Sequence, residues 1–506
     1  MVAYKNGWKY GILIFVAIFF IVLGAVGIGV STYFYNEEMT DEVQGRFGIV
    51  FDAGGSGTRM YIYSFDNNNQ YVQTLQEDCE GDGLSKYGGR TSDLKPLLNK
   101  CLEDASTNIP KEVSTSNVPL YLKATAGMRK LREQNMTTYN NVWSAVRAIL
   151  NNGSFPVKMA ETMLGIKEAQ YSWTTVNHLL KSTDDTSGLL EMGSTSLQVA
   201  FEPHSSNSIP SNYSEEVSLN GKSYKIYAHS YMCLGRDEFG RRYYAKLAAD
   251  KFNNSATIMN PCGFQGYNVS KTYTDLFEVP CVKGDFAQEL FGQSINPDLS
   301  SMNATDSFTF VGTGDFDACK QQVESMFKKN CTHSSCGTLD AYQPDLYGHF
   351  TGIGGGVYFA AEFLQLPDDF TENDFENKTK ELCTTPLNEV KNRTGFGKYS
   401  YDYCLSNTYT NFVLQNLLKI NKTEKGVINF ARKINDQKIS WTMGSIIEDT
   451  PDMSPSVMEV TRDLESTNYY VVIAISAVLL VLGLFLFSYL CFCSNNKNGS
   501  VSNRTV

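Results

Sequence analysis

Residues 46–65 read RFGIVFDAGGSGTRMYIYSF. A β-prone run ends at Asp52, small residues follow, and a second β-prone run resumes at Met60, which predicts strand, glycine-rich turn, strand. Residues 186–201, TSGLLEMGSTSLQVAF, repeat the design with Glu191 at the end of the first strand. Two such units, each with an acid at the strand end, predict two similar lobes facing one another. Successive backbone N–H groups in a tight turn form a concavity that attracts anions. Glycine lets a phosphate approach the backbone, and Ser or Thr hydroxyls add donors. A carboxylate beside such a turn repels phosphate, so its place is to orient metal-bound water. One glycine-rich hairpin alone is as readily an ordinary turn; the second copy favours the anion-binding reading. Helical periodicity between the units, as at Thr138 to Asn151 with Val142, Val146, Ile149 and Leu150 on one side, makes the class α/β.

Outward from these units, two segments decide the compartment. Residues 10–35 are uncharged and apolar enough to cross a bilayer, and residues 469–492 form a second such stretch. Lys5 and Lys9 precede the first span, and Lys497 and Arg504 follow the second, which places tails 1–9 and 493–506 in the cytosol. The region between is then extracellular, an endomembrane lumen being the lesser alternative. Ten of the chain's twelve cysteines lie there, as suits an oxidising compartment, though their number alone leaves the connectivity open. Ten N-x-S/T acceptors, at Asn135, Asn152, Asn212, Asn253, Asn268, Asn303, Asn330, Asn377, Asn392 and Asn421, suit a glycosylated ectodomain. The 506 residues carry a net charge of −11 and are 42% hydrophobic, which argues against nucleic-acid binding and against disorder as the main state.

DAGGSGTRMYIY resembles the first conserved region of the ecto-nucleoside triphosphate diphosphohydrolases, the membrane apyrases of the actin–sugar kinase–Hsp70 superfamily. LKATAGMRKL (122–131), GIKEAQYSWTTVNHLL (165–180) and GLLEMGSTSLQVAF (188–201) resemble the next three. Further similar blocks follow in family order: YAHSYMCLGRDE, NPCGFQGY, FVGTGDFDAC, AYQPDLYGHF and SWTMGS, the last ending at Ser445. The likeness covers nearly the whole ectodomain and points to the cell-surface branch.

The resemblance implies two RNase-H-like lobes with an interlobe cleft, flanked by two transmembrane helices. Lobe I is expected over 44–164 with 433–464 returning to it, and lobe II over 165–432. It implies metal-assisted, in-line attack of water on ATP, ADP, UTP or UDP, proceeding stepwise to the monophosphate. Glu168 matches the base, and Ser196 and Gln198 match the residues that hold the water. Gly54, Gly55, Ser56, Gly57 and Thr58 match the first phosphate loop, Gly193 and Ser194 the second, and Thr125 borders the same cleft. Arg129, in the second block, reads equally as a cleft residue or a solvated charge. Asp52 and Glu191 match the acids that orient the water shell of Ca²⁺ or Mg²⁺; Tyr358 matches the aromatic on which the base stacks, and Arg236 a residue near it. Trp441 reads as a packing residue that shapes the cleft. The implied disulfides are Cys79–Cys101, Cys233–Cys281, Cys262–Cys319, Cys331–Cys336 and Cys383–Cys404. Implied partners are extracellular nucleotides and membrane lipid, and the spans offer a route to homo-oligomers.

The chain departs from the family pattern at several points. Gly55 replaces a serine, Glu191 an aspartate, and Ala169 and Ser172 stand where glycines are usual. Residues 193–197 read GSTSL in place of G-G-A-S-T, and Tyr399 replaces a basic residue. These changes motivate the alternative expectation of a weakened or inactive nucleotide-binding membrane glycoprotein, a receptor or scaffold.

Overall fold

The computed structural model describes residues 4–38, 46–65, 71–111, 113–204, 209–251, 257–295, 305–327, 331–450 and 466–498. The chain divides into two compact units, one built from the terminal segments and one from Arg46–Ser454. In the terminal unit, helices α1 (Tyr4–Glu38) and α15 (Ser466–Asn498) contain apolar spans at Gly11–Tyr33 and Tyr469–Phe492. The two helices pack together closely. A Cβ at Gly24 would lie 2.6 Å from the Ser476 carbonyl, so only glycine admits the approach.

The larger unit holds two main sheets. In the first, β1 (Arg46–Ala53) pairs antiparallel with β2 (Thr58–Phe65) and parallel with β4 (Leu120–Ala124). β3 (Tyr71–Asp78) and β5 (Val157–Thr162) complete the order β3-β2-β1-β4-β5. β1 and β4 are nearly continuous apolar runs because helices cover them, as parallel pairs require. The covering helices on this side include α2 (Leu94–Asn108), α3 (Ala126–Gln134) and α4 (Met136–Asn151). On α4 Val142, Trp143, Val146 and Leu150 are buried, as the helical spacing predicts, and Asn135 caps the helix by accepting from the Thr138 N–H.

The second sheet repeats the plan. β6 (Gly188–Met192) and β7 (Ser196–Phe201) form its hairpin, joined by β8 (Ser214–Leu219), β9 (Lys222–Met232), β13 (Phe350–Ile353) and β14 (Ile428–Phe430) in the order β14-β13-β6-β7-β9-β8. A smaller sheet of β10 (Thr257–Asn260), β11 (Asn268–Thr272) and β12 (Ser307–Gly312) and a ribbon of β15 (Lys433–Ile434) and β16 (Gln437–Lys438) lie outside this repeat. The second half also carries α5 (Gly165–Leu180), α6 (Arg236–Lys251), α7 (Tyr273–Phe277), α8 (Asp285–Phe291), α9 (Phe316–Glu324), α10 (Tyr358–Glu362), α11 (Glu372–Thr384), α12 (Leu387–Val390) and α13 (Tyr403–Phe412).

One late helix crosses back. α14 (Trp441–Asp449) buries Trp441, Met443 and Ile446 with Val50, Tyr61 and Tyr63 of the first sheet, and it also packs along α5. Buried Lys123 on β4 fastens it, donating to Ser445 Oγ at 2.8 Å and to Asp449. Of the segment 433–464 that the resemblance expects to return to the first lobe, residues 451–464 lie outside the described residues.

The five disulfides join Cys79–Cys101, Cys233–Cys281, Cys262–Cys319, Cys331–Cys336 and Cys383–Cys404, the pairing the resemblance implies. Among the described sequons, Asn135, Asn152, Asn212, Asn268, Asn377, Asn392 and Asn421 are all exposed. Asn253, Asn303 and Asn330 lie outside the described residues.

Candidate active site

The two hairpin turns meet. A Cβ at Gly55 would lie 2.6 Å from Ser194 Oγ and 2.7 Å from Thr195 Oγ1, so the first turn approaches the second as closely as a glycine allows. Both turns are fastened from behind. The Thr125 N–H bonds the Ala53 carbonyl at 3.2 Å, and the N–H groups of Arg236 and Asp237 bond the carbonyls of Gly193 and Ser194 at 2.9 Å each. The carbonyls are thus turned away and taken, as an anion cradle requires.

Between the turns opens a cleft of about 380 Å³ lined by Asp52, Glu168 and Glu191 from three different elements. Asp52 ends β1, and burial lifts its carboxyl to about 6; Arg59 pulls it down, Glu168 pushes it up, and the Trp441 side chain hydrogen-bonds it. Glu191 sits on β6 and is lifted to about 8 by burial and by the charges of Glu168 and Asp52. The Ser172 hydroxyl donates to Glu191 Oε2, and Gln198 stands opposite Glu191 in the β6–β7 ladder, its Oε1 accepting from Ser230 Oγ at 3.4 Å and its buried Nε2 without a hydrogen-bond partner among the described residues.

Glu168 lies in the first turn of α5 and is 5% exposed. Its Oε2 accepts from Arg129 Nη2 at 2.6 Å, and the same nitrogen is 3.3 Å from Ser196 Oγ. Burial raises the Glu168 carboxyl above its ordinary range, opposed by the Arg129 charge and hydrogen bond. A glutamate in the first turn of a helix also lies where the dipole favours negative charge.

Of the residues expected from sequence, Asp52, Gly54, Gly55, Ser56, Thr125, Glu168, Glu191, Gly193, Ser194, Ser196, Arg236 and Tyr358 line this one cleft. Three do not. Gly57 packs beneath the turn toward Gly81, and Thr58 already belongs to β2, paired with Ala53 and fully buried. The turn is over by Ser56, so these two lie off the cleft lining. Gln198 is 1% exposed and lies off the cleft lining, across the β6–β7 ladder from Glu191. Tyr358 donates its hydroxyl to Glu362 at 3.0 Å, and the Arg236 guanidinium lies over the Tyr399 ring at 4.4 Å.

Four contacts escape the sequence reading. Arg129, which reads two ways in sequence, is buried against Glu168. Trp441 both packs and bonds Asp52. Ser172 reaches Glu191, and Arg59 stands opposite Asp52 in the β1–β2 ladder. A signal existed for the last two: Ser172 is one helical turn beyond Glu168 on the same face, and a hairpin closing at Ala53–Thr58 puts residue 59 across from 52.

A cation suits this donor set. Three carboxylates line the cleft, Glu168 buried and Asp52 and Glu191 half-buried, and among the described residues the direct ion pair they make is Glu168 with Arg129. Hard oxygen donors suit a hard divalent cation rather than a soft metal.

Residues 38–462 match the GDA1/CD39 (nucleoside phosphatase) family. The chain belongs to that family. It is 29% identical over 498 residues to ectonucleoside triphosphate diphosphohydrolase 1 of Rattus norvegicus, covering 92% of this chain and 93% of that one. It is 28% identical over 481 residues to ectonucleoside triphosphate diphosphohydrolase 3 of Homo sapiens, covering 90% and 88%. Among solved structures, a nucleoside triphosphate hydrolase of Neospora caninum superposes with a TM-score of 0.60 at 16% identity, over 85% of this chain and 95% of that chain. This last likeness speaks for the shared fold alone.

Proposed function

We propose that the chain is a membrane-anchored nucleoside triphosphate diphosphohydrolase that removes terminal phosphates from extracellular nucleoside tri- and diphosphates, stepwise to the monophosphate. Family membership supports phosphate hydrolysis of nucleotides. The observation that carries the finer reading is the convergence of Glu168, Asp52 and Glu191 on a cleft roofed by two abutting turns.

Backbone N–H groups at 54–56 and 194–195 receive the phosphate tail, with Ser56, Ser194 and Thr125 adding hydroxyls, while the Gly193 N–H closes its own hairpin on the Ser196 carbonyl. Glu168 accepts a proton from the attacking water. Arg129 keeps the buried Glu168 ionised and aims its free oxygen, and Ser196, held beside the same guanidinium, positions the water. Asp52 and Glu191 would hold a divalent cation through water; when bound, it neutralises phosphate charge as it builds toward the transition state. Tyr358 offers its face to the base, and Arg236 with Tyr399 shapes the far end. Positive charge flanking both spans supports cytosolic termini, and the exposed sequons support an extracellular ectodomain.

The test is phosphate release by the full-length protein in membranes, with ATP or ADP and Ca²⁺ or Mg²⁺, against Glu168→Ala. Nucleotide-induced thermal stabilisation without release in the wild type would favour the receptor or scaffold reading. Neither stabilisation nor release would remove the nucleotide site altogether.

A further inference from the structure

Each of the two turns rests on the start of a helix. A Cβ at Gly127, in the first turn of α3, would lie 2.8 Å from the Gly55 Cα, so α3 packs on the first hairpin backbone to backbone. A Cβ at Gly235, just before α6, would lie 2.5 Å from the Ser194 carbonyl carbon, and the N–H groups of Arg236, Asp237 and Glu238 all bond carbonyls of Gly193 or Ser194. α3 follows β4 of the first sheet, and α6 follows β9 of the second. Side chains of these two helices meet: Lys130 Nζ donates to Glu238 Oε1. The pair is shielded from water, with the Lys130 side chain 17% exposed and that of Glu238 4%. Arg241, one turn along α6, brings its Nε to 3.4 Å from Glu238 Oε2.

We propose that the Lys130–Glu238 pair is a positioning tie: by holding α3 to α6 it sets the spacing of the two turns that receive the phosphate tail. This rests on the phosphate reading of the turns and adds to it. Neither residue lines the cleft, so neither touches substrate. Taking two charges out of water is costly, and such a pair seldom outdoes apolar side chains of equal volume in stabilising a fold. What it adds is register, since each charge must find its partner in place. If one turn draws back, its donors no longer reach a phosphate held by the other. Arg129, the preceding residue of α3, engages Glu168 independently, so the base keeps its place when the tie is cut. The loss is then one of binding donors, felt alike by ground state and transition state, and it falls on KM. The alternative is a packing contact with no bearing on the cradle.

The experiment measures ATP and ADP turnover with Ca²⁺ by full-length wild type, Lys130→Met, Glu238→Gln, the double variant and Lys130→Arg. Each replacement leaves the backbone N–H bonds to the second turn untouched. KM should rise about tenfold in Lys130→Met and at least about threefold in Glu238→Gln, with kcat changed by less than about threefold. The double variant should lose no more than Lys130→Met, because a tie cut at one end is already cut. Lys130→Arg keeps the charge and should stay within about threefold of wild type. KM does not depend on how much of the protein is folded, so a fall in kcat with KM unchanged would report lost fold and overturn the tie. Losses that multiply in the double variant overturn it, because the two residues would then act separately. A rise in kcat overturns it as well, because the pair would then restrain release. Wild-type KM in both single variants overturns the tie and leaves the proposed reaction standing. A wild type that hydrolyses neither nucleotide overturns the parent reading, and the tie with it.

Discussion

The β1–β2 and β6–β7 hairpins are copies of one plan that have been completed differently. The first is lean: a short acid, Asp52, then glycines, with an aromatic from α14 bonding the acid. The second is full: a longer acid, Glu191, hydroxyls at Ser194 and Thr195, and a serine from α5 bonding the acid. The excess on one side fits the deficit on the other, because Gly55 leaves the space that Ser194 and Thr195 occupy. Likewise the extra methylene of Glu191 is met by the Ser172 hydroxyl. Departures from the family pattern that look independent in sequence are neighbours in space, so each has to be tested with its partner.

Glu168 belongs to neither hairpin and serves both, so removing it gives the largest effect. Glu168→Gln keeps the shape and the Arg129 contact but abolishes the base; kcat for ATP and ADP should fall by about 10³-fold, with nucleotide binding retained. A change that struck one nucleotide only would break the picture of a shared centre.

Second comes the fit of the two turns. Gly55→Ser puts a Cβ 2.6 Å from Ser194 Oγ and 2.7 Å from Thr195 Oγ1, so both hydroxyls must rotate away from the positions they hold at the cradle. A loss of about 10²-fold in kcat/KM is expected. Adding Ser194→Gly should recover most of it, although Ser194→Gly alone costs some activity through its lost donor. Additive losses in the double variant would show that the turns do not compensate one another.

Third is the support behind each acid. Ser172→Ala removes the donor to Glu191, and Trp441→Phe removes the donor to Asp52 while keeping most of the packing. Each should raise the divalent cation concentration needed for half-maximal activity, by about tenfold for Ser172→Ala. Trp441→Phe should do less, since Asp52 keeps the pull of Arg59. Equal shifts would mean the hairpins are more alike than their sequences.

Much of this was open to inspection in the chain itself. Alternation around Asp52 and Glu191 marks both hairpins, because strand and turn chemistry are local. The spans and the exposed sequons are local too. What local pattern leaves undecided is contact made by tertiary folding. Arg129, at a helix start, looks the same whether solvated or buried; only the docking of α5 against α3 brings Glu168 to it. Trp441 and Asp52 come from opposite ends of the Arg46–Ser454 unit, and nothing near either predicts their hydrogen bond. Thr58 lies off the cleft lining for a smaller reason: β2 begins there, a residue or two earlier than composition suggests.

The smallest effect, and the one that weighs the two acids directly, is the pH dependence of stability without a cation. Both acids are half-buried and raised, Asp52 from 3.8 to about 6 and Glu191 from 4.5 to about 8. A raised carboxyl favours the folded state fully below its unfolded value, and that contribution is lost as pH climbs through the folded value. In EDTA the melting temperature should therefore decline between about pH 4 and 8, by a few degrees in all, with the Glu191 portion lost later than the Asp52 portion. Glu191→Gln should flatten the upper part of that decline, and Asp52→Asn the lower part. Ca²⁺ or Mg²⁺ should restore stability most at the alkaline end, where both acids are ionised and repel. A melting curve that rises with pH in EDTA, or that Glu191→Gln leaves unchanged, would mean that the second acid is not held neutral by its burial and that the fuller hairpin is no costlier to ionise than the lean one.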